Sequence, residues 1–158
     1  GDTSPRLEIP LLGEVLDLIQ SQAATRLSIQ PKADCVVDIV SLVGDLHAEI
    51  WVGFNDGDVA KLQLARKLMP RAHIFLDTGG SPRPVEEDIA IAKHHSFQSI
   101  VMHHSTATAE RVTRIADAGL EPGAWTVNEL PKMHSLRALG VTRFYTDRPR
   151  TFLATPKQ

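Results

Sequence analysis

Polar side chains follow each predicted strand of this chain, at the point where the strand gives way to a loop. The six groups are Gln30 with Lys32, Asn55 with Asp56, Asp77 with Thr78, His103 with His104, Thr126 with Asn128, and Thr146 with Asp147. Amide, carboxylate and ammonium groups can hold a cation or an anionic ligand, and imidazole can transfer protons. Any single member of the set is equally typical of helix capping or loop solvation. Because the carboxyl ends of parallel strands meet at one edge, we expect the whole set to converge there.

The elements that position these groups alternate between β-rich runs and helical patterns. Leu12–Gln20 has apolar residues at 3–4 spacing, which predicts an amphipathic helix. Predicted strands are 26–29, 49–54, 72–76, 99–102, 124–127 and 143–145. Gly44, Gly119 and Gly140 are expected to end three of the intervening helices. Strands separated by helices pair in parallel through crossover connections, so the sequence predicts an α/β fold.

Length and composition indicate one ordinary globular domain, residues 1–158. Hydrophobic residues make up 42% of the chain and charged residues 23%, which argues against disorder. The net charge of −2 does not favour a nucleic-acid partner. The longest apolar runs are shorter than the roughly 18 residues that a transmembrane helix needs. A barrel of eight β/α units typically has about 250 residues, so six units predict either most of a barrel or an open doubly wound sheet.

Several segments, in order along nearly the whole chain, resemble one enzyme family. Near the carboxyl end, residues 123–128 read Gly-Ala-Trp-Thr-Val-Asn, residues 139–141 Leu-Gly-Val and residues 145–149 Tyr-Thr-Asp-Arg-Pro. Near the amino end, residues 9–16 read Ile-Pro-Leu-Leu-Gly-Glu-Val-Leu, and 29–32 read Ile-Gln-Pro-Lys. Val-Gly-Phe at 52–54 falls where the family has a strand ending in Ser-Phe. This series of motifs resembles the glycerophosphodiester phosphodiesterases.

The resemblance implies a fold, a reaction and a set of site residues. It implies a (β/α)8, TIM-type barrel with about six of the eight units in this chain. The expected reaction converts small-molecule glycerophosphodiesters into glycerol 3-phosphate and an alcohol, using a divalent cation (calcium or magnesium) and a pair of histidines. By position, Lys32 is expected to bind phosphate, Trp125 and Asn128 to contact substrate, and Gln30 to replace a glutamate that ligates the metal.

The chain also departs from the family pattern. The family's His-Arg-Gly, Glu-x-Asp and His-Asp motifs precede the segment that resembles residues 9–16, and none of them lies in this sequence. No residue here is therefore assigned as catalytic. Gln30 would also weaken a cation site, because an amide oxygen lacks the carboxylate charge. His103 and His104 are adjacent, and strand alternation would direct at most one of them into the mouth of a barrel.

Three hypotheses follow. The chain is the larger part of a phosphodiesterase whose catalytic residues lie elsewhere in the polypeptide. Alternatively, it is a non-catalytic relative that binds an anionic ligand or a partner protomer, since an incomplete barrel would leave strand edges open for a homo-oligomer. The third is a flavodoxin-like signalling or binding domain, which fits the length but explains neither carboxyl-terminal motif.

Overall fold

The structure of the chain is a computed structural model, and it describes residues 8–22, 24–80 and 83–153. The strands are β1 (Leu27–Ile29), β2 (Val52–Asp56), β3 (His73–Asp77), β4 (Ser99–His103), β5 (Glu121–Trp125) and β6 (Arg143–Phe144). The helices are α1 (Leu12–Gln20), α2 (Val36–Asp45), α3 (Val59–Leu68), α4 (Val85–His94), α5 (Ala109–Asp117), α6 (Leu130–Ala138) and α7 (Pro149–Leu153). Within these ranges, no helix has the length and apolar character required to cross a membrane.

The six strands form one parallel sheet in which spatial order equals sequence order, β1-β2-β3-β4-β5-β6. Each strand pairs in parallel with the next, for example Ser99 with Glu121 and His103 with Trp125 across β4 and β5. A doubly wound sheet reverses its strand order at a switch point, whereas this sheet advances in one direction throughout. The predicted α/β class is confirmed, and the flavodoxin-like alternative is wrong.

The sheet curls into part of a barrel. The guanidinium carbon of Arg143, on β6, lies 4.5 Å from the centre of the Phe75 ring on β3. Two residues three strands apart can touch only if the sheet bends strongly between them. The architecture is therefore a half-barrel of parallel β/α units, as in TIM barrels.

The two faces of the sheet have different partners. Alternate strand residues on the convex face are fully buried in the core beneath the helices, including Phe54, Ile74 and Leu76. The side chains that alternate with these residues point to the concave face. There, polar residues lie at both ends of the strands, and Phe75 and Val101 are buried in the middle. The hydrophobic core therefore lies between the sheet and the helices, and the polar side chains on the concave face are available to bind a ligand.

Several predicted boundaries are wrong for identifiable reasons. Residues 49–51 form a 3₁₀ turn rather than the start of a strand, so β2 runs from Val52 to Asp56. Gly44 lies inside α2 instead of ending it. The strand predicted at 124–127 begins three residues earlier, at Glu121, because Pro122 and Gly123 resemble chain breakers in a sequence. A Cβ atom at Gly123 would lie 2.6 Å from Val101 Cγ1, so glycine is required by the close approach of β4.

Candidate functional site

The carboxyl ends of β1 to β6, with the loops that follow them, form an edge that we call the rim. At its first position, Lys32 Nζ donates a hydrogen bond to Gln30 Oε1 at 2.7 Å, and both side chains are exposed. Pro31, between them, is buried, and its carbonyl oxygen accepts a hydrogen bond from Lys61 Nζ at 3.0 Å. The buried proline anchors this segment to α3, while the ammonium group of Lys32 remains in solvent.

Trp125 ends β5 and is held by a carboxylate from another strand. Its indole N–H donates to Asp77 Oδ1 at 2.9 Å, and the same oxygen accepts the Gly79 backbone N–H, also at 2.9 Å. The indole is thus oriented by Asp77 and is half-buried. The sequence placed Asp77 on the rim but did not predict its hydrogen bond to Trp125. The feature that could have indicated this bond is that both residues end strands that lie two apart in a parallel sheet.

His103 and His104 lie beside Trp125. The His103 ring centre is 5.2 Å from the Trp125 ring, nearly perpendicular to it, and the two imidazole rings are 4.3 Å apart. The His104 backbone N–H donates to the Trp125 carbonyl at 2.8 Å, so the pairing of β4 with β5 continues one residue past the end of β4 at His103. Burial, together with the charge of Lys132, lowers the pKa of His104.

Asn128 connects the end of β5 to the segment after β6. Its Oδ1 accepts hydrogen bonds from Thr146 Oγ1 and the Asp147 backbone N–H, each at 2.9 Å. Its Nδ2 donates to Asp147 Oδ2 at 2.9 Å. The side chain does not cap α6, whose N-cap residue is Glu129. Asn128 thus binds Asp147 directly, and its contact with substrate stays a prediction.

A second polar cluster, which the sequence analysis did not identify, lies nearer the amino ends of the strands. Ser99 Oγ bridges His73 Nε2 and Glu121 Oε2, at 2.8 Å from each, and Arg143 Nε donates to Glu121 Oε2 at 3.0 Å. Burial alone would raise the pKa of Glu121, but the hydrogen bonds from Arg143 and Ser99 lower it. Burial and the charge of Arg143 lower the pKa of His73, which favours neutral imidazole. This cluster links β3 to β6 across three strand pairs.

The residues expected near a cation do not by themselves make a cation site. Gln30 offers one neutral oxygen, and that oxygen accepts a hydrogen bond from the positively charged Lys32. Within residues 8–22, 24–80 and 83–153, no group of three or more His, Cys, Asp or Glu side chains could hold a metal ion. Calcium and magnesium sites are built from several oxygens, usually including carboxylates. The described residues therefore do not fit a cation at Gln30, and the expected cation stays a prediction.

Taken together, the half-barrel and its polar rim define a protein of the (β/α)-barrel class, whose ligands bind at the carboxyl ends of the strands. The model of the glycerophosphoryl diester phosphodiesterase family matches residues 17–151. The chain belongs to that family. No curated protein matches the chain well enough to count as a relative.

Solved structures share the fold. A Galdieria sulphuraria protein assigned as a glycerophosphodiester phosphodiesterase matches 95% of this chain and 68% of its own, with 19% identity and a TM-score of 0.82. A Silicibacter pomeroyi protein with a similar assignment matches 86% of this chain and 52% of its own, with 23% identity and a TM-score of 0.76. An Oleispira antarctica phosphodiesterase, solved with its product sn-glycerol-3-phosphate, matches 92% and 60%, with 18% identity and a TM-score of 0.77. The chain thus spans about half to two thirds of these structures.

Proposed function

We propose that the polypeptide containing this chain hydrolyses glycerophosphodiesters to glycerol 3-phosphate and an alcohol, with the rim as the substrate-binding surface. The family match over residues 17–151 is the observation that carries the proposal. It is supported by the fold that the chain shares with a phosphodiesterase solved with sn-glycerol-3-phosphate. The polar groups gathered on the rim are chemically suited to a small anionic ligand.

Lys32 is the residue that would offset the charge of the phosphoryl oxygens. Its ammonium group is exposed, and among the residues that the structure describes its hydrogen bond is to the neutral amide of Gln30 and none is to a carboxylate. A fixed cation stabilises the negative charge that increases on phosphoryl oxygens during hydrolysis. Gln30 would hold the ammonium group in position by accepting its hydrogen bond. Lys32 would therefore contribute both to substrate affinity and to the rate.

Trp125 would provide the apolar surface against the glycerol carbons. Because Asp77 accepts the indole N–H, the ring can offer only its carbon surface to a ligand. Asn128 would contribute at the adjacent position, with its amide held by Asp147. These residues bind and orient the substrate, and they do not transfer protons. Hydrolysis also needs a base for the nucleophile and an acid for the leaving alkoxide.

A second candidate function is favoured by one observation. The residue after β1 is Gln30, a neutral amide in place of a carboxylate, and its side-chain oxygen accepts a hydrogen bond from Lys32. A rim with this composition is suited to binding an anion without turnover. The alternative is therefore a non-catalytic relative that recognises phosphate-containing ligands.

The assay that separates the two functions measures glycerol 3-phosphate released from glycerophosphocholine by the polypeptide as its natural host produces it. We expect turnover in the wild type and at least tenfold lower kcat/KM in Lys32→Ala, because a charge-assisted contact of about 1.5–3 kcal/mol is lost. Lys67→Ala is the matched control, since Lys67 is an exposed lysine in the last turn of α3. Absence of turnover with any divalent cation would favour the non-catalytic relative, and full activity of Lys32→Ala would remove Lys32 from the site.

A further inference from the structure

We propose that His103 is a ligand-binding residue of the rim and that its Nε2–H donates a hydrogen bond to an oxygen of a phosphate group. None of the segments that resemble the phosphodiesterase family includes His103, and the resemblance gives this residue no role. This inference rests on the proposed function, because it names a further residue of the same binding surface.

The first supporting observation is the tautomer of the ring. The Ser105 backbone N–H points at His103 Nδ1 over 3.3 Å, and Ser105 Oγ is 2.7 Å from the same nitrogen. A backbone N–H can only donate, so Nδ1 is the acceptor and the proton of the neutral imidazole is on Nε2. No hydrogen bond within the described part of the chain uses Nε2. The ring therefore keeps one N–H donor for a ligand.

The second observation is the direction in which the ring lies. His103 is the register partner of Trp125, and its ring packs against the indole, which is bonded to Asp77. Asp77 lies two residues after Phe75, whose ring meets Arg143 across the concave face. Because residues two apart in a strand share a face, Asp77, Trp125 and His103 all belong to the concave side of the rim.

The third observation is that the neighbouring loop leaves the imidazole accessible. The Gly79 carbonyl accepts the His103 backbone N–H at 3.1 Å, so the loop after β3 passes close to this residue. A Cβ atom at Gly80 would lie 3.8 Å from His103 Cβ, so a side chain there would pack against the histidine. Glycine at 80 leaves that space open, and the ring remains half-exposed.

These features describe a preorganised donor. Ser105 determines the tautomer, Trp125 restricts the ring plane, and Asp77 in turn holds Trp125. Phosphate oxygens are strong acceptors, and a hydrogen bond from a neutral imidazole to a charged oxygen is stronger than one between two neutral groups. His73 cannot serve in this way, because its Nε2 is already bonded to Ser99.

The test combines nuclear magnetic resonance of the histidine rings with binding of sn-glycerol 3-phosphate, inorganic phosphate and glycerol to the natural polypeptide. We expect His103 in the Nε2–H form, with its Nε2 signals shifting on addition of either phosphate compound but not of glycerol. His94, at the end of α4, is the internal control and should not shift.

Variants give the matching affinities. His103→Phe keeps an aromatic ring against Trp125 but removes the donor, and it should weaken glycerol 3-phosphate binding about 10- to 100-fold. His103→Gln keeps an N–H donor and should lose less than about tenfold, and His94→Gln should bind as the wild type.

The outcomes separate the two proposals. Wild-type binding together with unshifted His103 signals, or unchanged affinity in His103→Phe, overturns the role of His103 and leaves the proposed function intact. A shift caused equally by glycerol also overturns it, because the phosphate would not be the acceptor. If the wild type neither binds glycerol 3-phosphate nor hydrolyses glycerophosphocholine, both proposals are overturned. If His103→Phe does not fold, the wild-type spectra decide the question.

Discussion

A buried ion pair between α4 and α5 provides the sharpest test of how this half-barrel is held together. Asp88 is fully buried, and its carboxylate pairs with the guanidinium of Arg111, whose side chain is only 8% exposed. Arg83 reaches the same carboxylate from the protein surface, with Nη2 2.9 Å from Asp88 Oδ1. Arg111 Nη1 also donates to the Arg83 carbonyl oxygen at 2.9 Å, so the pair joins two helices and the segment before α4.

Replacing Asp88 with leucine removes the charge and leaves Arg111 buried without its counter-ion. Breaking one partner of a buried pair typically costs about 3–5 kcal/mol of unfolding free energy. We expect that loss for Asp88→Leu and a smaller one for Arg111→Met, because Arg83 still pairs with the Asp88 carboxylate in that variant. The double variant should recover about 2–3 kcal/mol relative to the sum of the single changes, because neither charge remains unpaired.

The chain contains a matched control on the same two helices. Glu86 of α4 pairs with Arg114 of α5, but their side chains are 59% and 49% exposed. Glu86→Gln should therefore change the unfolding free energy by no more than about 1 kcal/mol. Urea denaturation of all four variants, followed by circular dichroism, measures the differences directly.

Equal effects of Asp88→Leu and Glu86→Gln would refute the reasoning, because burial is the property that distinguishes the two pairs. Strict additivity of Asp88→Leu and Arg111→Met would show that the carboxylate and the guanidinium are not coupled.

Two further predictions concern the concave face. Gly123→Ala should lower the unfolding free energy by about 1–3 kcal/mol, because the added Cβ would lie 2.6 Å from Val101 Cγ1. Gly44→Ala, in α2, is the control. Its Cβ would meet no atom within 4 Å, so this change should raise the unfolding free energy by about 0.5–1 kcal/mol. Urea denaturation compares the two, and similar effects would contradict the close approach of β4 and β5. Burial raises the pKa of Tyr145, the single tyrosine of the sequence, to about 12 from its ordinary value of 10.0. Because the folded pKa exceeds the unfolded one, its contribution to stability is complete below pH 10 and is lost as the pH rises through about 12. The ultraviolet absorbance of tyrosinate should titrate accordingly, and a midpoint near the ordinary value in protein still folded by circular dichroism would contradict the burial.

Much of the fold could be predicted from local pattern. The 3–4 spacing in Leu12–Gln20 indicated an amphipathic helix, and α1 has those bounds. Apolar runs separated by turn residues located all six strands, although β2 and β5 were displaced. Those errors arose where the local signal conflicted with packing: Pro122 and Gly123 are typical of loops, yet here they form the second and third residues of β5.

The candidate site could be predicted in outline only. The rim positions of Gln30, Lys32, Trp125 and Asn128 follow from strand ends and from the family resemblance. Their partners do not, because these come from distant parts of the chain: Asp77 for Trp125, and Asp147 for Asn128.

The sequence by itself therefore determined the α/β class, the family and the residues that gather at the rim, since hydrophobic periodicity and short motifs are local properties. Only the tertiary structure decided that the sheet advances in one direction and curls, and that His73, Ser99, Glu121 and Arg143 form one network. It also decided that the His103 ring lies beside Trp125, with the Ser105 backbone N–H directed at its Nδ1. These features depend on strand register and on contacts between residues far apart in the sequence, such as Phe75 with Arg143 and Asp77 with Trp125, which local pattern does not encode.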